Sequence, residues 1–520
     1  MPTSFLNEIL PDIKNSPNPL KMLTTIPKIE PRPKHCNSMT QFSVTTCDSE
    51  TKQAILNSIN RLRYVDLRFC PVYRLGKFDR RQPFKDLEVK HRLASSALLI
   101  FCLTSLFAFL PQGIQAKDWN TYLAGRERAG ATTDSISLPL APVWKYVAPS
   151  PPKMGQTDPG ERVMEGHDLE ARVDFDDAFQ VAIADGRAYF GSSVDHLMRC
   201  VDLKSGKELW SYFTGGPIRL SPTVSQSRVY FGSDDGFVYC LDASTGKEVW
   251  KLRAGLNEEM IIARGEMVSR WPVRTNVLVD EGIAYFGAGI FPHENIYLYA
   301  VDAKTGNVIW KIDNLSQTSA GRNELSPQGY ILANDEFLFF PSGRSLPAAF
   351  NKKTGEEEHK RSYSWRSTAG GVVGGTQALL ADGQIYSMGA HHILALTQDE
   401  GDIGFAWITG QQMAVQGEFA YLATGSSILK VNRGEHAVGS QKAHNNDMTI
   451  NGLLRKLRSL KGKKAEEARA EIKTLKEENK AYAKAGVIWE IAAPARDSLI
   501  VAGDKVIAGG VGQVLILDEA

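Results

Sequence analysis

Three arginines recur at one spacing. Arg219 lies eleven residues before Tyr230, Arg274 eleven before Tyr285, and Arg496 eleven before Ile507. A guanidinium is planar, permanently charged and carries five donors, so three of them at one mouth can hold a carboxylate, a phosphate or an acidic peptide. The same residues on a solvated rim would instead be neutralised by neighbouring carboxylates. Arg322, Arg344 and Arg366 stand in other irregular stretches and can face the same way. Other groups carry less. Asp174, Asp176, Asp177 and Glu324 are loose carboxylates, and His391-His392 has no carboxylate or cysteine at ligand spacing nearby. The stretch with Gly370, Gly371, Gly374 and Gly375 lacks the Lys-Ser/Thr of a phosphate-binding loop and reads as an inner strand. No catalytic residue and no metal ligand is assigned.

The elements that position the arginines are repeats. Segments ending at Trp210, Trp250 and Trp310 share Tyr-Phe-Gly, an alternating run, Asp-x-x-x-Gly, and a tryptophan four residues after that glycine. Tyr189-Phe190, Tyr230-Phe231 and Tyr285-Phe286 read as strand residues. Asp202 with Gly206, Asp242 with Gly246, and Asp302 with Gly306 read as tight turns, in which the carboxylate accepts local N–H groups and glycine takes positive φ. Each tryptophan then starts an outer strand, where its indole packs on the neighbouring sheet and its N–H finds a carbonyl. Four short strands per repeat make a propeller blade. Weaker copies lead to Trp365 (with Asn351 in the Asp position), Trp407 and, after an insertion, Trp489. The last copy stops at Ala520 before an outer strand, and Trp144 stands on an outer-strand-like segment with no inner strands before it. Pairing that segment with residues 500–518 would close a ring of seven blades and hide two open edges. The alternative is a lost eighth blade. The expected fold is therefore all-β, a seven- to eight-bladed propeller of four-stranded blades.

The Asp-x-x-T/S-G-K-E-x-W signature resembles the tryptophan docking motif of the quinoprotein-type propellers, the pyrroloquinoline quinone (PQQ) alcohol dehydrogenase-like repeat family. The match is close in three repeats and looser after Trp310. The same repeat occurs in the outer-membrane assembly lipoprotein and in sensor propellers attached to bacterial kinases. The enzymatic branch would imply PQQ with calcium in the central channel, an Asp base, acidic and amide metal ligands, and usually adjacent cysteines. No two cysteines are adjacent here, and no C-x-x-C-H motif is present. Cys200 and Cys240, the cysteines of the repeat region, stand at equivalent places in successive repeats and read as small buried side chains.

Before the repeats, Lys90, His91 and Arg92 precede an apolar run from Ala97 to Leu110, a Pro111/Gly113 break and a small-residue site at Ala116. This reads as a signal peptide over 89–116, too short for a membrane span. Residues 1–88 hold nine of 24 prolines and 14 Lys+Arg against nine Asp+Glu, with no sustained period; they read as a disordered extension or as an early start, with Val89 as the true one. The propeller then covers 117–520. The net charge of +1 gives no reason to expect a nucleic-acid or acidic-membrane partner.

Residues 444–485 break the pattern, being rich in Lys, Glu, Leu and Ala. Ala465, Ala468, Ile472, Leu475, Asn479 and Tyr482 form one helical stripe, and Leu453, Leu457 and Leu460 can supply the second helix of a hairpin. Together these features suggest an exported, periplasmic or envelope-associated, non-catalytic propeller that binds a protein or an anionic ligand and needs no cofactor. The rivals are a PQQ-dependent dehydrogenase or its degenerate relative, and the sensor part of a longer protein.

Overall fold

The computed structural model describes residues 118–155, 176, 178–313, 315, 325–343, 346–360, 376–388, 392–402, 406–493 and 497–519. The signal peptide and the preceding extension lie outside them. Among the described residues are seven four-stranded sheets and one separate two-stranded hairpin. The first four sheets begin with the inner strands Val181–Ala184, Thr223–Ser225, Leu278–Asp280 and Leu332–Ala333, and the next three with Gln377–Ala381, Gln412–Gln416 and Ser498–Ala502. In the first six sheets each strand pairs antiparallel with the next in chain order.

Strand alternation explains why both aromatic residues of each repeat are buried. Neighbouring side chains point to opposite faces, and here both faces of a sheet are covered. Tyr189 packs forward with Trp210 against the second sheet, while Phe190 packs backward with Trp144 and Tyr146. Tyr230 and Phe231 divide in the same way between the third and first sheets. Successive core clusters join the third sheet to the fourth, the fourth to the fifth, the fifth to the sixth and the sixth to the seventh.

The turns behave as their residues predict. The Asp202, Asp242 and Asp302 carboxylates accept the N–H of Ser205, Thr245 and Thr305 at 2.8, 2.9 and 2.7 Å. The residue after each aspartate gives its carbonyl to the indole of the preceding blade: Trp144 to Leu203 at 2.8 Å, Trp210 to Ala243 and Trp250 to Ala303 at 3.0 Å. Trp310 reaches Lys352 at 3.0 Å and Trp489 reaches Glu519 at 3.1 Å. A Cβ on Gly206 or Gly246 would come within 2.6 Å of the facing indole, so close approach as well as positive φ requires glycine there.

Three expectations change. The docking position of the fourth blade belongs to His359, paired with Ala349 as Trp310 is with Ala300. Its Nε2 lies 3.0 Å from the Gln398 carbonyl, and its ring faces Gly401. Trp365 lies outside the described residues. The expected pairing of the two ends also changes: Ala131–Thr132 joins the seventh sheet at the inner edge, parallel to Ser498–Ala502. Trp144 docks as expected of an outer-strand tryptophan, but no described strand around it pairs with Gln513–Asp518. Finally, the helical insertion starts before residue 444. Helix α1 spans Arg433–Leu457 and α2 spans Lys463–Tyr482.

The hairpin grows out of a docking turn. Asn432 holds the aspartate position, its side chain accepts from Glu435 N as Asp202 accepts from Ser205, and its own N–H reaches the Gly486 carbonyl at 2.7 Å. The two helices pack through Ile450, Ala465, Ala468 and Ile472, with Asn479 bonded to Asp447. No helix among the described residues is long and apolar enough to cross a membrane.

One further element binds the blades together. Residues 119–130 cross the inner strands in chain order: the carbonyls of Trp119, Asn120, Arg126, Glu127, Ala129 and Gly130 accept N–H groups of Ile183, Val224, Ala333, Leu380, Val415 and Val501. The Arg126 side chain reaches Asp280 of the remaining inner strand at 2.9 Å. Arg128 is fully buried in this segment and donates to Thr121, to the carbonyls of Tyr122 and Gly125, and to that of Ile331. Tyr122 stacks on Tyr330 at 3.7 Å. This segment leaves no repeat signal in the sequence, because nothing in it recurs.

Candidate functional site

Arg219 and Arg274 precede the second and third inner strands, and the structure brings them onto one carboxylate. Asp234 accepts two bonds from Arg274, both at 3.0 Å, and one from Arg219 at 2.7 Å. Arg219 Nη1 also reaches Asp176 and the Lys153 carbonyl, each at 2.7 Å. All four charged side chains are buried. Burial alone would raise the Asp234 pKa, but the two guanidinium groups outweigh it and hold the carboxyl below its usual range. Arg496 lies outside the described residues, as do Arg322, Arg344 and Arg366.

The spacing located the arginines but not their partner. Asp234 lies in the turn after the second strand of its blade, where Asp234 N reaches the Pro217 carbonyl at 2.9 Å and the Asp234 carbonyl accepts from Ser269 N at 2.7 Å. Two arginines facing two aspartates leave little net charge for a ligand, so the described pair forms an internal network. The same geometry tests a calcium-bound quinone. Asp234 is committed to two guanidinium groups and Asp176 to one through Oδ2, its Oδ1 being buried without a hydrogen-bond partner, and among the described residues no three His, Cys, Asp or Glu side chains converge as a metal site. These described donors do not fit a calcium ion. Asp174, Asp177, Glu324 and the four glycines of 370–375 lie outside the described residues, and so does His391. Cys200 and Cys240 are free and buried, and burial pushes both thiols up to about 11.

A feature missed in the sequence stands beside this network. Met260–Ala263 and Glu266–Ser269 form the separate hairpin, turning through Arg264 and Gly265 at φ 57° and 77°. Its last residue, Ser269, is the one bonded to the Asp234 carbonyl. Ile262 and Met267 are register partners, so their side chains lie on the same face; they are 78% and 52% exposed. Leu256 and Phe213 are exposed as well. Phe213 stacks on His196, whose Nε2 lies 3.8 Å from Glu266 of the hairpin. Glu266 pairs with Lys153, and Arg270 ties the hairpin base to Glu259 and Glu294. The signal in the sequence is a second alternating pair around Arg-Gly, placed between Trp250 and Arg274 where one repeat should pass directly to the next.

Residues 194–364, about a third of the chain, match the family model described as outer membrane protein assembly factor BamB, and over that stretch the repeats are similar to the PQQ-like, BamB-type propeller repeat. No curated protein matches the chain. Among solved structures, BamB from Moraxella catarrhalis is 11% identical with a TM-score of 0.42, covering 73% of this chain and 88% of that one. A europium-containing methanol dehydrogenase is 11% identical, with a TM-score of 0.41 and coverage of 64% and 76%. Quinohemoprotein alcohol dehydrogenase from Comamonas testosteroni is 13% identical, with a TM-score of 0.40 and coverage of 66% and 65%.

Proposed function

We propose that this PQQ-like propeller repeat protein is a non-catalytic interaction platform of the cell envelope, and that it holds another protein against the hairpin 260–269. The observation that carries this reading is the paired exposure of Ile262 and Met267 on an element whose base is fixed by ion pairs. Apolar side chains held out in water on a rigid support lower the free energy of a complex when a partner covers them. The hairpin is also a two-stranded sheet, so its edges present backbone groups that a partner strand can pair with. The Arg219–Asp234–Arg274 network supports the site by holding its base, and works without a bound anion or quinone. The family described as an outer membrane protein assembly factor agrees with an envelope setting.

The test is affinity capture from envelope extracts with the wild type and with an Ile262→Asp/Met267→Asp variant. Both positions are exposed, so the variant should keep the wild-type melting temperature and lose the partner. Titration with PQQ and calcium, followed by a dye-linked alcohol oxidation assay, is the counter-test. Saturable one-to-one binding with turnover would contradict the platform reading.

A further inference from the structure

Beyond its buried base, the helical hairpin is an arm without cover from the described blades. In α1 the buried residues are Arg433, His436, Ala437, Gly439, Ser440 and, further out, Ile450, which faces the small residues of α2. From Ser440 to the end of α1 the arm extends roughly 25 Å at helical rise. Its tip is strongly basic. Arg455, Lys456, Arg458, Lys461, Lys463 and Lys464 fall within ten residues, with no acidic residue between Met448 and Ala465. All six are exposed. Of these six, only Lys463 has a carboxylate of a described residue within 4 Å, that of Glu467 at 3.8 Å.

Helix stability accounts for part of this charge only. Arg455 and Lys456 complement the negative end of α1. Lys463 and Lys464 stand in the first turn of α2, where the helix dipole disfavours cations. Interleaved with the cations are Leu453, Leu457 and Leu460, half-buried, and Leu454, 44% exposed. No tryptophan, tyrosine or phenylalanine occurs between Asn451 and Ala465, so the tip lacks the rigid aromatic anchors that dominate protein interfaces. Long basic chains around leucines suit a different surface, one in which apolar groups enter the acyl boundary while cations spread among phosphates.

We infer that the tip of the α1–α2 hairpin docks on an anionic lipid surface, with Leu454 entering the interface and Arg455, Lys456, Arg458, Lys461, Lys463 and Lys464 pairing with headgroup phosphates. This inference is independent of the partner at the hairpin 260–269 and is tested without it.

The test is flotation of the protein, as isolated from its cells, with phosphatidylcholine vesicles and with vesicles that also contain phosphatidylglycerol. The wild type should prefer the anionic vesicles, and added salt should remove the preference. Replacing Arg455, Lys456 and Arg458 together with glutamine should weaken the anionic partition by about a hundred-fold, since each surface cation contributes on the order of a factor of five. A Lys473→Gln/Lys476→Gln variant further along α2 should keep most of the partition. In a Leu454→Trp variant, fluorescence should shift to the blue on anionic vesicles alone. Equal binding to both vesicle types, equal loss in both lysine and arginine variants, or retention on polyglutamate without preference for anionic vesicles would overturn the inference.

Discussion

The carbonyl oxygen of Gly130 accepts the backbone N–H of Val501 at 2.9 Å, and so joins the start of the described chain to its last inner strand. It is the final bond in a series that begins at Trp119 and touches each inner strand in turn. A propeller is otherwise held by contacts between neighbouring blades. Here one short segment adds contacts to all seven, each at or next to the last residue of the inner strand. The opposite end, where those strands begin, carries the arginine network and the apolar hairpin.

Arg128 should be the residue on which that segment depends. It is buried and its guanidinium serves the Ile331, Tyr122 and Gly125 carbonyls and the Thr121 hydroxyl. Arg128→Met keeps the bulk and removes every donor, and should destabilise the protein by on the order of 3 kcal/mol or more in urea unfolding. Arg128→Lys should rescue only part of this loss, because an ammonium cannot span the same acceptors.

Asp234 should make stability acid-sensitive. Its folded pKa lies below the ordinary carboxylate value because Arg219 and Arg274 favour the charged form against the opposing effect of burial. The resulting stabilisation is present above the unfolded carboxyl pKa of about 4 and drains away as pH falls through the lower folded value. Asp234→Asn should cost on the order of 3–5 kcal/mol at neutral pH, since it leaves the buried Arg274 without a carboxylate and Arg219 with Asp176 alone. The gap between wild type and variant should narrow as pH falls below about 4, which urea unfolding across that range will show.

Gly246 and Gly186 offer a controlled comparison. Both have φ of 70°, but a Cβ on Gly246 would meet Trp210 at 2.6 Å and one on Gly186 would meet nothing within 4 Å. Gly186→Ala should cost about 1 kcal/mol of backbone strain. Gly246→Ala should cost about 1–3 kcal/mol more, because it also displaces the docked indole. Equal losses by thermal unfolding would show that docking contributes nothing at this turn.

His359 occupies the register position that tryptophan holds at Trp310. His359→Trp should be tolerated and should add buried apolar contact against Gly401, raising the melting temperature by a few degrees. His359→Ala should lower it, by removing both the ring and its contact with the Gln398 carbonyl.

The propeller was legible because its instructions repeat. Tyr189, Tyr230 and Tyr285, the turn aspartates and Trp210, Trp250 and Trp310 each perform one physical task in each blade, so spacing alone located them. Reading failed where a position kept its task and changed its residue, as at His359, and where an element occurs once, as with residues 119–130. Spacing likewise placed Arg219 and Arg274 at equivalent blade entries without indicating that Asp234 joins them, because an aspartate in a Gly-Ser-Asp-Asp-Gly turn looks like any other turn residue. The hairpin 260–269 was hidden by the same logic, since an insertion within a repeat array is read as the interval between repeats.

The central claim is that the hairpin face holds a protein partner. It is tested most directly by placing a photo-cross-linking residue at Ile262 in cells, with Ile488 of an outer strand, also exposed, as the comparison position. The account predicts one strong adduct with a single envelope protein from position 262 and none from 488. The absence of any adduct at 262, or the same adducts at both positions, would contradict it.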